Sequence, residues 1–192
     1  MTILLLGLLI FLGVHTLTTM RERRAGLIGR FGAGAYKGVY SIVSLIGLAL
    51  IVYGFGAYRA GGYIPVWEPP TWTRHLAILI VWIAFIALAA AYAPAGKIKG
   101  ALKHPMLVGV KAWALAHLLA NGDLGSMILF GSLLGWSVFD RIKVKRRGDL
   151  GPGPAPFGKG DVIALVAGTA AFAALLLLHP LLIGVSVIGR AS

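Results

Sequence analysis

Five histidines are the residues of this chain best suited to chemistry: His15, His75, His104, His117 and His179. Cysteine is absent, which removes disulfides, thiolate nucleophiles and cysteine-ligated metals. Only six acidic residues occur, most of them near loops, so paired-carboxylate acid–base work is not expected. There is no Ser/His/Asp arrangement of recognisable spacing and no HExxH motif. His15, His117 and His179 lie within apolar runs, where an ionisable side chain is expensive; each marks either a function or a hydrogen-bonded packing position. His75 and His104 fall at helix starts, where headgroups can solvate them. Neutral imidazole is a good haem ligand, and helix bundles hold haem between facing helices. Without cysteine, bis-His or single-His ligation is what the chain can offer, with Trp113, Phe130 and Trp136 as apolar faces for a porphyrin. Buried histidines also serve as proton relays.

The stretch "KHPMLVGVKAWALAHLLANGD", residues 103–123, gathers many of these groups. His104 and His117 stand about 19–20 Å apart along a helix and some 140° apart around its axis. They cannot grip one small cofactor from the same helix. His104 and Lys111, seven residues apart, share a face. With Lys103 they form a basic inner patch suited to an anionic headgroup or a haem propionate. The plainer reading has Lys111 snorkelling to the headgroups. His117, with Trp113 one turn before it, is too far from the loop cations to be a headgroup contact.

The elements that must position these residues are membrane-spanning. Of 192 residues, 58% are hydrophobic and 12% charged, with mean hydropathy +0.87, whereas soluble domains run at about 25% charged. The net charge of +12 sits in short loops without an aromatic–basic platform. It therefore points to topology and anionic lipid contacts and not to nucleic acid. Six segments approach the roughly 20 apolar residues that a span requires: 2–20, 39–58, 74–92, 105–121, 125–139 and 162–188, the fifth being the shortest. The last is long, and Pro180 after His179 gives a cause for a kink.

With the N-terminus outside, fourteen Lys and Arg fall in inner loops (residues 21–37, 97–103 and 141–159) against Arg59, Arg74 and Arg190 outside. This asymmetry supports an all-α, six-helix transmembrane bundle with both termini on the outer, periplasmic side of a bacterial inner membrane. The first segment lacks a basic n-region and an A-x-A-like site, so it reads as a retained helix and not a cleaved signal. Loop 59–75, with Tyr63, Trp67 and Trp72, reads as an interfacial aromatic belt or as a lid over a site. Residues 141–161, Gly/Pro-rich and basic, read as a flexible cytoplasmic loop over anionic headgroups. Their glycines precede no strand–helix unit, which disfavours a nucleotide loop. The whole chain is expected to form one transmembrane domain.

The run "KHPMLVGVKAWALAHLLANGDLGSMILFGSLLGWSVFDR" resembles the NnrU family of bacterial membrane proteins. So do "VHTLTTMRERRAGLIGRFGAGAYKGVYSIVSLIGLALIVYG" and "LLHPLLIGVSV". The resemblance implies a role in nitrite and nitric oxide metabolism. The family is similar to the plant and algal zeta-carotene isomerases, membrane haem-b enzymes acting on a cis double bond of a polyene. Matched residue by residue, their haem ligands correspond to His15 and His117. Ala114 stands where those enzymes carry a ligand-switching cysteine, so a Cys/His switch does not carry over. Depth alone pairs His117 with His179 instead, since His15 and His117 differ by about 10 Å at 1.5 Å per residue.

The implied function is a haem-b membrane protein of nitrogen-oxide or redox metabolism, or an isomerase of polyenes, with a lipophilic substrate or redox partner. The alternative, from another class, is a non-enzymatic membrane factor supporting nitrite or nitric oxide reductase. The "HPM-x-x-G" portion also resembles isoprenylcysteine-type membrane methyltransferases. Their downstream Arg and paired-Glu elements are missing, which ranks that reading third.

Overall fold

A computed structural model describes residues 1–187. The chain is 80% helical, and no strand forms among the described residues. Eight helices are named: α1 (Thr2–Thr19), α2 (Arg21–Phe31), α3 (Ala33–Ala60), α4 (Thr71–Tyr92), α5 (Lys97–Leu102), α6 (Pro105–Ala120), α7 (Leu124–Arg146) and α8 (Lys159–Ile183). Of these, α1, α3, α4 and α8 are long and apolar enough to cross a bilayer, and α6 is a shorter apolar helix.

Each of the six expected segments is helical, with shifted ends. Helix α3 begins at Ala33, six residues before the expected Val39. The basic stretch after α1 is the separate helix α2, broken from α1 at Met20. Helix α7 continues through charged residues to Arg146. Lys and Arg are good helix formers and are favoured at a helix C-terminus by its dipole, so charge alone does not end a helix. The loop expected over 141–161 accordingly narrows to 147–158, between α7 and α8. Helix α8 runs through Pro180 to Ile183. Ile188 and Arg190, counted above in the last span and the outer charges, lie outside the described residues.

The helices fall into two contact units. The first comprises residues 1–70 and 117–149, and the second 71–116 and 150–187 among those described; the division falls within α6. In the first unit α1 and α3 run antiparallel at close range. A Cβ on Gly47 would meet the Phe11 backbone at 2.8 Å, one on Gly7 the Ile51 nitrogen at 2.6 Å, and one on Gly54 the Leu4 backbone. In lipid no hydrophobic drive brings helices together, so small residues that allow close van der Waals contact do that work. Leu4, Leu8 and Ile51 are buried in the resulting interface. Residues pair as 4 with 54, 7 with 51 and 11 with 47, a register that carries His15 to the level of Tyr40–Ser44.

The Asn121-Gly122-Asp123 turn joins α6 to α7. The Asn121 side chain donates to the His117 carbonyl (2.8 Å), and Asp123 accepts from Ser126 N–H (2.9 Å) as the N-cap of α7. The Gly122 carbonyl accepts from Val66 N–H and Trp67 N–H, and Leu124 N–H donates to Ile64. The aromatic loop after α3 is thereby pinned to this turn, and the Tyr58 hydroxyl accepts from Ile64 N–H (2.8 Å). The polar end of the 103–123 stretch is a backbone junction.

In the second unit α4 packs on α8 through alanines, with Ala90, Ala93 and Ala164 buried together against Ile98. A Cβ on Gly168 would meet Ile86 Cα at 2.6 Å. Trp82 N–H donates to the Thr169 hydroxyl (3.0 Å). Helix α5, only six residues long, is held at both sides. Asp161, 1% exposed, accepts from Lys97 N–H (3.0 Å), Ile98 N–H (2.7 Å) and Gly158 N–H (2.8 Å), so one carboxylate caps α5 and α8 together. Lys99 donates to the Ala91 and Ala93 carbonyls at the end of α4 (3.0 and 2.7 Å). Residues 153–155 lie against Gly100, where a Cβ would meet the Gly153 carbonyl at 2.6 Å.

Candidate functional site

His15 lies one turn before the end of α1 and is half-buried. Its Nδ1–H donates to the Phe11 carbonyl, one turn back, at 2.7 Å. With Nδ1 carrying the proton, Nε2 is the lone-pair nitrogen, and a donated Nδ1–H is the usual orienting bond of a metal-ligating imidazole. Three rings surround it: Phe11 at 4.1 Å, Tyr40 at 5.4 Å and Trp136 edge-on at 5.7 Å between centroids. They come from α1, α3 and α7, so the cage exists only when those three helices are docked. Trp136 is fixed by its N–H bond to the Thr16 hydroxyl (3.0 Å), which itself donates to the Leu12 carbonyl (2.7 Å).

His117 lies near the end of α6, half-buried, with Phe130 of α7 at 4.5 Å between centroids and 30° between planes. Both histidines of the motif pair thus rest on rings of α7. Phe130 and Trp136 are six residues apart, about 9 Å along the helix. A groove of about 440 Å³ runs beside this stretch, lined by Leu8, Leu9, Leu12 and Thr16 of α1 and by Ser132 of α7, among others. Its walls are mostly apolar.

His104, half-buried, immediately precedes α6, and its carbonyl accepts from Val108 N–H (3.1 Å). Lys103 beside it holds a left-handed backbone, φ 60°, the one non-glycine with positive φ among the described residues. Lys111 and Trp113 lie half-buried along α6. His179 Nδ1–H donates to the Val185 carbonyl at 2.7 Å, folding the chain after α8 back over its last turn, where Gly184 is left-handed at φ 76°. His75 is exposed in the first turns of α4. Among the described residues no three His, Asp or Glu side chains gather as a metal-ion site.

Sequence reasoning missed Phe11, Thr16 and Tyr40 as neighbours of His15. Phe11 was readable, being four residues back on the same helix face. Tyr40 follows from the glycine register of α1 on α3. Asp161 was also missed as a cap, although its position three residues after Gly158 matches the N3 place of a capping acid.

Apolar helices of bilayer length, with imidazoles set into them, define a multi-span membrane protein. The family model described as NnrU protein matches residues 3–187, so the chain belongs to the NnrU family. No curated protein and no solved structure matches it.

Proposed function

We propose that this NnrU-family chain binds haem b through His15 and His117 and works in nitrogen-oxide or redox metabolism, or in cis–trans isomerisation of a polyene. The observation that carries the reading is the setting of His15: one ring nitrogen held by a backbone carbonyl, the other the lone-pair donor, inside a cage of three rings. Haem would supply an iron centre able to take imidazole ligands. The chain's own residues orient His15, place Phe130 against His117 and line the adjoining groove with mostly apolar side chains. The offset of about 9 Å between the two α7 rings exceeds the spacing of two imidazoles on one iron. Joint ligation of one iron by His15 and His117 would require the two imidazoles to come closer than these rings place them. The family resemblance supports the same pair.

The reading includes six membrane crossings with both termini outside, in a bacterial inner membrane. The charge asymmetry between alternate loops supports it. The apolar groove along α1 suits a lipophilic substrate. His104 and Lys111, with Lys103, form the inner patch proposed to hold a headgroup or a propionate.

A second reading, a non-enzymatic factor supporting a nitrite or nitric oxide reductase, is favoured by one observation. The carboxylates of Asp123 and Asp161 are engaged in capping, and that of Asp149 in ion pairs, which leaves few for acid–base work. One experiment separates the two. The purified protein is recorded before and after dithionite. A Soret band with sharp reduced α/β bands favours haem; a colourless protein that still complements a denitrification defect favours the supporting factor. In the first case His117→Ala abolishes haem retention, His15→Ala turns a low-spin spectrum high-spin, and His179→Ala does neither. A spectral change on His179→Ala with none on His15→Ala transfers the ligand role to His179.

A further inference from the structure

A second site lies where α1 gives way to α2, and it does not depend on the haem reading. The antiparallel register of α1 on α3 brings Tyr36, Lys37 and Tyr40 beside Thr18, and the break at Met20 sets the first turn of α2 next to them. The end of α7 completes a cleft of about 420 Å³, whose polar lining includes Arg21, Arg24, Lys37, Arg147 and Tyr36.

The charge of the cleft is one-sided and partly preset. Asp149 lies 3.8 Å from Arg21 and 4.0 Å from Arg147. The left-handed Gly148 (φ 72°) turns the chain so that Asp149 faces back toward Arg147. That carboxylate is shared by two guanidinium groups. Arg24 and Lys37 pair with no carboxylate among the described residues, and the Arg24 guanidinium lies over the Tyr36 ring at 5.7 Å. The Tyr36 hydroxyl is buried without a hydrogen-bond partner. A buried hydroxyl without a partner is rare in a native fold and points to an absent acceptor. An anion with several acceptor oxygens meets both needs: charge for Arg24 and Lys37, and an acceptor for Tyr36.

We propose that this cleft binds the phosphate of an anionic lipid headgroup. The place of the cleft selects the lipid over a free ion. It opens where two apolar helices of bilayer length end, and Val39 and Ile42, on the turns of α3 next to Tyr36 and Tyr40, are largely exposed. A lipid whose acyl chains lie along α3 carries its phosphate to this level, whereas a free ion gains nothing from those surfaces.

The test compares phosphatidylglycerol with phosphatidylcholine of the same acyl chains, presented together in mixed micelles to the full chain, with bound lipid counted by native mass spectrometry. Wild type is expected to hold phosphatidylglycerol about tenfold over phosphatidylcholine. Arg24→Gln with Lys37→Gln lowers that preference about fivefold or more, and Tyr36→Phe about twofold to threefold. Arg23→Gln with Lys145→Gln, the same loss of charge outside the cleft lining, leaves it unchanged. Equal retention of the two lipids overturns the proposal. So does an equal fall in the control variant, which would mean diffuse attraction. A third arm adds millimolar inorganic phosphate: persistence of bound phosphatidylglycerol supports the lipid assignment, and displacement overturns it in favour of free phosphate.

Discussion

His15 and Asp161 are both polar side chains in an apolar chain, and their surroundings are opposite. Asp161 is buried with three backbone N–H groups from two helix starts on its two oxygens. Its bonding capacity is spent within the fold. His15 has one ring nitrogen engaged by a backbone carbonyl, and its ring lies among aromatic faces. Cost alone does not tell a structural polar group from a functional one in a membrane protein, since both are expensive to bury. The two side chains differ in how much of their bonding the backbone consumes.

Thermal melts in detergent test this difference, with the visible spectrum recorded beside them if the proposed haem is bound. The largest stability effect is expected from Asp161→Ala, which strands donors at two helix starts; a fall of about 10 °C in Tm fits such losses. Asp161→Asn should fall between that variant and wild type. A melt like wild type's would show that the carboxylate is not the clasp it is taken for. Gly54→Leu forces a side chain into the Leu4 backbone and should cost about 2–3 kcal/mol, or roughly 6 °C. Gly56→Leu, at a position with nothing within 4 Å, is its silent control. Trp136→Phe removes one indole donor to Thr16 and should cost about 1 kcal/mol, near 3 °C, with the haem spectrum perturbed but not lost. Among the variants that remove or crowd a contact, His15→Ala should cost least, below about 2 °C, although its spectral change is the greatest of the series. If His15→Ala melts as low as Asp161→Ala, His15 is a packing residue and the contrast fails.

The sequence made the helical class, the membrane setting and the family legible, because long apolar runs and one dense motif carry them. It hid what depends on register. Gly7, Gly47 and Gly54 look unremarkable until α1 is laid on α3, and only then does Tyr40 meet His15. The Asn-Gly-Asp end of the 103–123 stretch was legible as polar, but the docking it serves was not. Asn121 and Asp123 serve backbone groups four and three residues away; what no local pattern displays is the docking of Ile64, Val66 and Trp67 on the same turn. Charge misled in the basic segments: Arg21–Phe31 and residues 141–146 read as loop and are helix. Lys99, counted only as a topology charge, holds the end of α4.

The clasp at Asp161 also sets an order of events during synthesis. Lys97 and Ile98 emerge from the ribosome more than sixty residues before the carboxylate that will hold them. Isolated helices shorter than about 12–15 residues are marginal in water, and α5 has six. Until α8 arrives, this turn of the nascent chain has no partner for its first amides. A stalled chain ending at residue 150 should therefore exchange the amide hydrogens of 97 and 98 rapidly, while the released protein protects them.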